Sequence, residues 1–223
     1  MKNIKAVIFD MDGVLVDSEP FHVKIEKLMF EKVGLDISDE EHASYMGIAT
    51  DVMWQKIIEI RNLSLNVEEM TQLTNSGGLP FFEKLDKIEP MPGLVRLLDQ
   101  LKEKNIPVAV ASSSDSETIN IIMKKSGLRK YFLYTISSEL AGKSKPAPDV
   151  FLYTAKLLNV YPENCLVIED SKNGIKAAKT AGMVCVAYSG AVSDNQDQTE
   201  ADVIFDDYTK LADYLFNSGN LVL

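Results

Sequence analysis

The sequence predicts an α/β fold, a doubly wound parallel sheet with a helical domain inserted after its first strand. Two patterns predict this fold. Short apolar runs alternate with helical patterns over residues 88–223, as is typical of parallel strands joined by helices. Residues 18–87 carry helical patterns but no convincing strand. We therefore expect a sheet-containing core domain of residues 1–17 and 88–223 and a helical domain of residues 18–87.

The first strand and the inserted helices are predicted from local signals. Val7-Ile8-Phe9 is β-branched and aromatic, as in a buried strand, and the run ends at Asp10. Ser18-Glu19-Pro20 begins a helix that Gly34 ends, because proline fits a first turn and glycine a helix end. Further helices are predicted at about 38–47 and 50–60, and a fourth, after Asn66, is expected to be interrupted at Ser76-Gly77-Gly78.

Strands and helices alternate along the rest of the chain. Strands are predicted at 107–111, 132–137, 165–168, 184–187 and 203–205, and helices at about 94–103, 115–127, 148–159, 173–180 and 211–216. Right-handed crossovers between parallel strands bring the carboxyl ends of all strands to one edge of the sheet. Ligands of such sheets bind beyond that edge, where the strand order reverses.

The composition limits the partners of this chain. Its formal net charge is −10, and its only arginines are Arg61, Arg96 and Arg129. This balance disfavours nucleic acid and anionic membranes, because phosphate binding requires clustered lysine and arginine. A small phosphorylated metabolite remains compatible if a local cation attracts it. We expect a monomer or a weak homo-oligomer.

Three features predict a cytoplasmic location. No apolar stretch approaches the length of a membrane span. The first apolar run breaks at Asp10, too early for a signal peptide. Cys165 and Cys185 lie within apolar runs, which favours buried, reduced thiols over disulfides.

Polar side chains that could take part in catalysis or metal binding stand at the predicted strand ends. Two carboxylates separated by one residue end the first strand, serines end the second, and a further acidic pair ends the strand at 165–168; a lysine lies in a loop before a helix. These residues are Asp10 and Asp12, Ser112, Ser113 and Ser114, Glu169 and Asp170, and Lys145. The parallel sheet is expected to gather them at one edge.

Carboxylates, a lysine and a hydroxyl in this arrangement suit phosphoryl chemistry. Oxygen-only ligands favour Mg²⁺, which accepts one or two carboxylates together with substrate phosphate. An aspartate can attack phosphorus and form an aspartyl-phosphate, while Lys145 offsets the charge repulsion. The Ser112 hydroxyl could donate a hydrogen bond to a phosphate oxygen. Asp12 could protonate the leaving oxygen and later activate water.

Each residue also has a structural alternative. A single strand-end aspartate commonly closes a local turn. Lys145 alone cannot be told from Lys143, and either could be a solvated loop lysine. Ser112 could be the N-cap of the following helix.

Four segments in order resemble the signatures of the haloacid dehalogenase superfamily, in the branch of β-phosphoglucomutase and small sugar-phosphate phosphatases. They are Phe9-Asp10-Met11-Asp12-Gly13-Val14-Leu15-Val16-Asp17-Ser18, the strand ending in Ser112, Lys145-Pro146-Ala147-Pro148-Asp149, and Val167-Ile168-Glu169-Asp170-Ser171. The resemblance implies a nucleophilic Asp10 and a general acid/base Asp12. It also implies Mg²⁺ held by Asp10, the Asp12 backbone carbonyl and Asp170, with Glu169 close by, and it makes the helical domain a cap that closes over the substrate.

The same resemblance suggests where substrate selection occurs. Glu19 and His22 stand where the mutase branch has a Glu and a His near the cap hinge, and Gly47 matches the cap glycine. Thr50 stands where the mutase has an arginine for a second phosphate, although a lysine of the helical domain such as Lys56 or Lys84 could hold that phosphate instead. We therefore expect a Mg²⁺-dependent phosphatase of a small sugar phosphate. A sugar-phosphate mutase and a non-catalytic phosphometabolite-binding protein are the alternatives.

Overall fold

The largest sheet of the described chain has six strands, all parallel, in a computed structural model that describes residues 2–45, 48, 50–190, 196–217 and 221–222. The strands of the described chain are β1 (Lys2–Asn3), β2 (Ala6–Phe9), β3 (Val108–Ser112), β4 (Tyr134–Ser137), β5 (Cys165–Glu169), β6 (Val184–Tyr188), β7 (Val203–Phe205) and β8 (Leu221–Val222). The order in the large sheet is β4-β3-β2-β5-β6-β7, and β1 pairs with β8 separately. The predicted fold class is confirmed.

The helices connect these strands or form the insertion. They are α1 (Glu19–Lys32), α2 (Asp39–Ala43), α3 (Thr50–Arg61), α4 (Val67–Lys84), α5 (Leu94–Glu103), α6 (Ser116–Lys125), α7 (Ser138–Ala141), α8 (Asp149–Leu158), α9 (Lys172–Thr180) and α10 (Tyr208–Asn217). Two 3₁₀ turns, Arg129–Tyr131 and Pro162–Asn164, precede β4 and β5. None of the described helices is long and apolar enough to cross a lipid bilayer.

The central strands are buried on both faces. All residues of β2, β3, β5 and β6 are buried. Successive side chains of a strand point to opposite faces. Ala6 and Ile8 pack in one apolar cluster with Val150 and Phe151 of α8, whereas Phe9 lies on the other face. Continuous burial explains why these strands are apolar runs and not alternating patterns.

The chain divides into two compact units. The sheet unit comprises Met1–Ser18 and Asp86–Leu223, and the helical unit comprises Glu19–Leu85. These limits differ by one and two residues from the domain boundaries expected at 17/18 and 87/88. The assignment of the units as catalytic core and cap stays a prediction.

Helix α4 is continuous, so the predicted interruption at Ser76-Gly77-Gly78 is wrong. Glycine and Pro80 inside a helix weaken it locally. Here the glycines allow close packing on α1: a Cβ at Gly77 would lie 3.0 Å from Met29 Cε, and one at Gly78 would lie 3.3 Å from Ile25 Cδ1. Burial against α1 therefore outweighs the low helix propensity.

Candidate active site

Asp10 stands directly after β2, the strand between β3 and β5. Its backbone N–H donates to Ile168 O at 2.9 Å, which continues the β2–β5 ladder past the strand end. The chain then turns at Gly13, whose φ is +73° and whose N–H donates to Val16 O at 2.9 Å. The hydroxyl of Tyr208, at the start of α10, donates to Val14 O at 2.7 Å and fixes this turn on the sheet unit.

Three carboxylates converge at the carboxyl ends of β2 and β5. One oxygen from each of Asp10, Glu169 and Asp170 lies within 4.8 Å of the other two. Asp10 follows β2, Glu169 is the last residue of β5, and Asp170 follows it. Because β2 and β5 are paired neighbours in register, the two acidic segments end side by side. Three carboxylates in such a cluster could hold a metal ion.

Lys145 supplies the positive charge in this cluster. Its ammonium donates to Asp10 Oδ1, to Glu169 Oε1 at 2.7 Å and to Ala111 O at 3.1 Å. Only 5% of its side chain is exposed, and Nζ lies 4.9 Å from the centroid of the Phe151 ring. Lys143, two residues earlier, is exposed. The solvated-loop alternative for Lys145 is therefore wrong.

The charge balance of the cluster is incomplete without a further cation. Burial raises the pKa of Asp10 to about 8; Lys145 opposes this rise, and Glu169 and Asp12 add to it. Burial, together with Glu169 and Asp10, raises the pKa of Asp170 to about 9. Burial alone lowers the pKa of Lys145, but the charges of Asp10 and Glu169 outweigh it and raise that pKa. The single ammonium bonds to only two of the three carboxyl groups, Asp10 and Glu169, and a divalent cation would stabilise the ionised forms of all three.

Glu169 is held from both sides. Lys145 binds Oε1, while the backbone N–H and the hydroxyl of Ser171 donate to Oε2 at 2.8 and 2.9 Å. Ser171 is also the N-cap of α9, with its Oγ accepting from Gly174 N at 3.1 Å. These bonds occupy both oxygens of Glu169, so this carboxylate orients Lys145 as well as adding charge to the cluster.

Two glycines make room for the acidic side chains. A Cβ built on Gly13 would lie 2.1 Å from Asp170 Oδ2, and one on Gly174 would lie 1.7 Å from Glu169 Oε1. Neither position tolerates a side chain while the carboxylates stay in place. The turn after β2 and the first turn of α9 are therefore parts of the site.

We expect Gly174→Ala to destabilise the protein, although alanine favours an α-helix by up to about 1 kcal/mol over glycine. The new methyl group must displace the Glu169 carboxylate, which is 1% exposed and bonded to Lys145. A loss of about 2–4 kcal/mol in the free energy of unfolding, the scale of a disrupted buried network, is the expected result in urea titrations. An unchanged or higher stability would show that the carboxylate can move at no cost.

Serines shape the loop after β3. Ser112 is the last residue of β3; it is fully buried, and its Oγ accepts from Ser114 N at 3.0 Å. The hydroxyl of Ser114 donates to Asp12 Oδ2 at 2.8 Å, and Ser113 is exposed. Asp115, not Ser112, is the N-cap of α6, so the capping alternative for Ser112 is wrong.

Two further serines, at the end of β4 and the start of α7, support this loop. Ser137 Oγ donates to Ser114 O at 2.8 Å, and Ser138 Oγ donates to Ser112 O at 3.2 Å. Ser137, Ser138 and Ser171 were missed at the sequence level. Ser137 and Ser171 have a recognisable signal, because each is a serine immediately before a helix.

The residues predicted to select the substrate belong to the other unit. Glu19 and His22 lie on α1 of the helical unit. Gly47 lies outside the described residues. The roles of these residues stay predictions, as do those of Ser113 and of the Asp12 backbone carbonyl.

The chain is similar to enzymes that act on phosphorylated sugars. Fructose-1-phosphate phosphatase of Escherichia coli K12 is 34% identical over 186 residues, covering 81% of this chain and 94% of that protein. β-Phosphoglucomutase of Bacillus subtilis is 31% identical over 206 residues, covering 90% of this chain and 88% of that protein. A crystal structure of β-phosphoglucomutase from Clostridium difficile superposes with a TM-score of 0.72 at 29% identity, over 93% of each chain.

Residues 7–188 match the family model described as haloacid dehalogenase-like hydrolase. This range contains Asp10, Ser112, Lys145 and Asp170, so the match includes all four segments that carry the resemblance. The family model, the similarity of both relatives and the parallel sheet agree with one another. The chain therefore belongs to the haloacid dehalogenase-like hydrolases.

Proposed function

We propose that this protein is a Mg²⁺-dependent phosphatase that hydrolyses a small phosphate monoester, in particular a sugar phosphate, through an aspartyl-phosphate on Asp10. The observation that carries the proposal is the cluster of Asp10, Glu169 and Asp170, in which the buried ammonium of Lys145 bonds to Asp10 and Glu169. The fructose-1-phosphate phosphatase activity named for the Escherichia coli relative supports the substrate class.

Asp10 is the proposed nucleophile. One carboxylate oxygen attacks phosphorus, the bond to the ester oxygen breaks, and the phosphoryl group stays on Asp10 until water releases it as inorganic phosphate. A carboxylate approaching a phosphate dianion meets charge repulsion. Lys145, which contacts Asp10 Oδ1, offsets part of this repulsion and fixes the orientation of the carboxylate.

Asp12 is the proposed general acid and base. It would give its proton to the departing ester oxygen and take one from the water that attacks the aspartyl-phosphate, which restores its protonated state. The Ser114 hydroxyl contacts Asp12 Oδ2 at 2.8 Å and limits the rotation of this side chain. Ser112 and the loop 113–114 are proposed to bind the phosphate.

Asp10, Asp170 and the backbone carbonyl of Asp12 are the residues proposed to hold Mg²⁺, with Glu169 beside them. When bound, Mg²⁺ supplies positive charge that stabilises the ionised carboxylates and the phosphate oxygens. The raised pKa values of Asp10 and Asp170 without a metal support this assignment. The chain's residues fit the ion, since every donor is an oxygen atom.

The helical unit favours a phosphatase over a mutase. A mutase must hold a second phosphate, for which arginine is the usual ligand. Arg61 is the one arginine in the sequence of this unit, and it makes two bonds to Glu41: Nη2 to Oε2 at 2.5 Å and Nε to Oε1 at 3.3 Å. Its guanidinium is thus bound within the unit. The β-phosphoglucomutase relatives keep the mutase as the second candidate.

A non-catalytic phosphometabolite-binding protein is the least supported alternative, because all the residues that we propose for turnover are present in the chain. The predicted absence of nucleic-acid and membrane partners stays a prediction, as do the cytoplasmic location and the monomeric or weakly oligomeric state. Cys165 and Cys185 are buried free thiols, which supports a reducing compartment.

We expect phosphate release from several sugar monophosphates in the presence of Mg²⁺, loss of that activity in EDTA, and recovery when excess Mg²⁺ is added. A colorimetric phosphate assay over a panel of phosphorylated metabolites makes the measurement. Bisphosphate-dependent isomerisation with little phosphate release would identify a mutase instead. Full activity in chelator would remove Mg²⁺ from the proposal.

A further inference from the structure

We infer that Gln198 is a positioning residue for Asp170 and thereby sets the affinity of the site for Mg²⁺. The inference rests on the proposed metal site. Gln198 lies in the segment between β6 and β7, far in sequence from every residue of the site. It is 6% exposed, and its side-chain amide donates from Nε2 to Asp170 O at 2.6 Å and to Tyr188 O at 3.1 Å.

The amide joins two strands beyond the point where their ladder ends. The last residues paired between β5 and β6 are Glu169 and Ala187. The next residues are Asp170, directly after β5, and Tyr188, the last residue of β6. A primary amide has two N–H donors on one nitrogen, so a single side chain can serve both carbonyl oxygens. Both partners are acceptors, which settles that the NH₂ group, not the oxygen, faces them.

These bonds determine where the Asp170 carboxylate points. Asp170 has left the β-ladder, and its side chain packs on Gly13, where a Cβ would lie 2.1 Å from Oδ2. Its peptide carbonyl is held by Gln198. Rotation of that peptide would swing the carboxylate away from Asp10 and Glu169, with which it shares the cluster. Residues that orient metal ligands typically change metal affinity by 10- to 100-fold when they are mutated.

Other bonds from the same segment reach exposed groups. Gln196 Oε1 accepts from Lys172 N at 3.2 Å, and Asp197 pairs with Lys172 Nζ at 3.0 Å at the surface. These bonds attach the segment to the start of α9, and none of them involves Asp10, Glu169 or Asp170. Water can replace these surface bonds, whereas the two bonds of Gln198 come from a side chain that is itself buried. Gln196 therefore provides a control of the same residue type.

The test compares Gln198→Met, which keeps the volume and removes the donor, with Gln196→Met. Calorimetric titration of each full-length protein with MgCl₂, without substrate, measures the dissociation constant. We expect the dissociation constant for Mg²⁺ to increase by about tenfold in Gln198→Met and by less than about twofold in Gln196→Met. The value for Gln198→Met is at the lower end of the range for residues that orient metal ligands, because Gln198 contacts the backbone of Asp170 and not its carboxylate. At saturating Mg²⁺, kcat should stay within about threefold of wild type, because the catalytic groups are unchanged.

The outcomes separate this inference from the proposed function. Mg²⁺ binding by the wild type but equal binding by Gln198→Met overturns the role of Gln198. Absence of Mg²⁺ binding by the wild type overturns the metal site itself. If Gln198→Met does not fold, Gln198→Asn keeps an amide that is one methylene too short to reach both carbonyls. The same increase is expected for it, and wild-type affinity would refute the inference.

Discussion

Asp10→Asn is expected to lower phosphate release by at least about 10⁴-fold, the scale seen when a covalent nucleophile is removed. The amide has nearly the shape of the carboxylate but cannot attack phosphorus. The fold should remain, because Lys145 keeps its bonds to Glu169 Oε1 and Ala111 O. Burial already disfavours the charged form of Asp10, so a neutral side chain at this position should not lower the melting temperature.

The measurement is phosphate release by purified protein, with circular dichroism to confirm folding. Asp213→Asn is a matched control, since this carboxylate is exposed on α10, where it accepts from Asn217 Nδ2. It should leave activity unchanged. Substantial activity in a folded Asp10→Asn protein would refute Asp10 as the nucleophile.

The pattern of the sequence was sufficient for the sheet and for the acidic residues. An apolar run that ends in Asp10, and another that ends in Glu169 and Asp170, place carboxylates at strand ends. The parallel arrangement then brings them together, as the 4.8 Å cluster shows. Family membership was predicted from the same segments and is confirmed by the match over residues 7–188.

Features that depend on packing could not be predicted. The continuity of α4 comes from its contacts with Met29 and Ile25 of α1, which no local propensity contains. Gln198 is an isolated polar residue in a polar segment, and only the fold brings it to Asp170. Gly174 resembles any helix glycine until the position of the Glu169 carboxylate is known.

Lys143 and Lys145 illustrate the same limit and provide the sharpest test of the electrostatics. The two residues share a loop and a side-chain type, and in the sequence only the resemblance of the segment that begins at Lys145 to a family signature distinguished them. In the structure Lys143 is exposed, while Lys145 lies buried against Asp10, Glu169 and Ala111 O. The pair therefore offers one substitution, lysine to methionine, in two different environments.

We expect Lys145→Met to lower the free energy of unfolding by about 3 kcal/mol in metal-free protein, because removal of one partner leaves buried carboxylates uncompensated. Uptake of a proton by Asp10 or Asp170, whose pKa values are already raised, limits the loss. Activity should fall by at least about 10²-fold, since the charge that offsets phosphate repulsion is gone.

Urea unfolding and phosphate release measure the two effects, and Lys143→Met is the control. For an exposed lysine the same substitution should change stability by less than about 0.5 kcal/mol and leave activity intact. Saturating Mg²⁺ should restore part of the stability of Lys145→Met, because the ion compensates the same carboxylates, but not the activity. Equal stability and equal activity of the two variants would mean that the buried ammonium has no electrostatic role. The proposal that Lys145 offsets the repulsion between Asp10 and the phosphate would then be wrong.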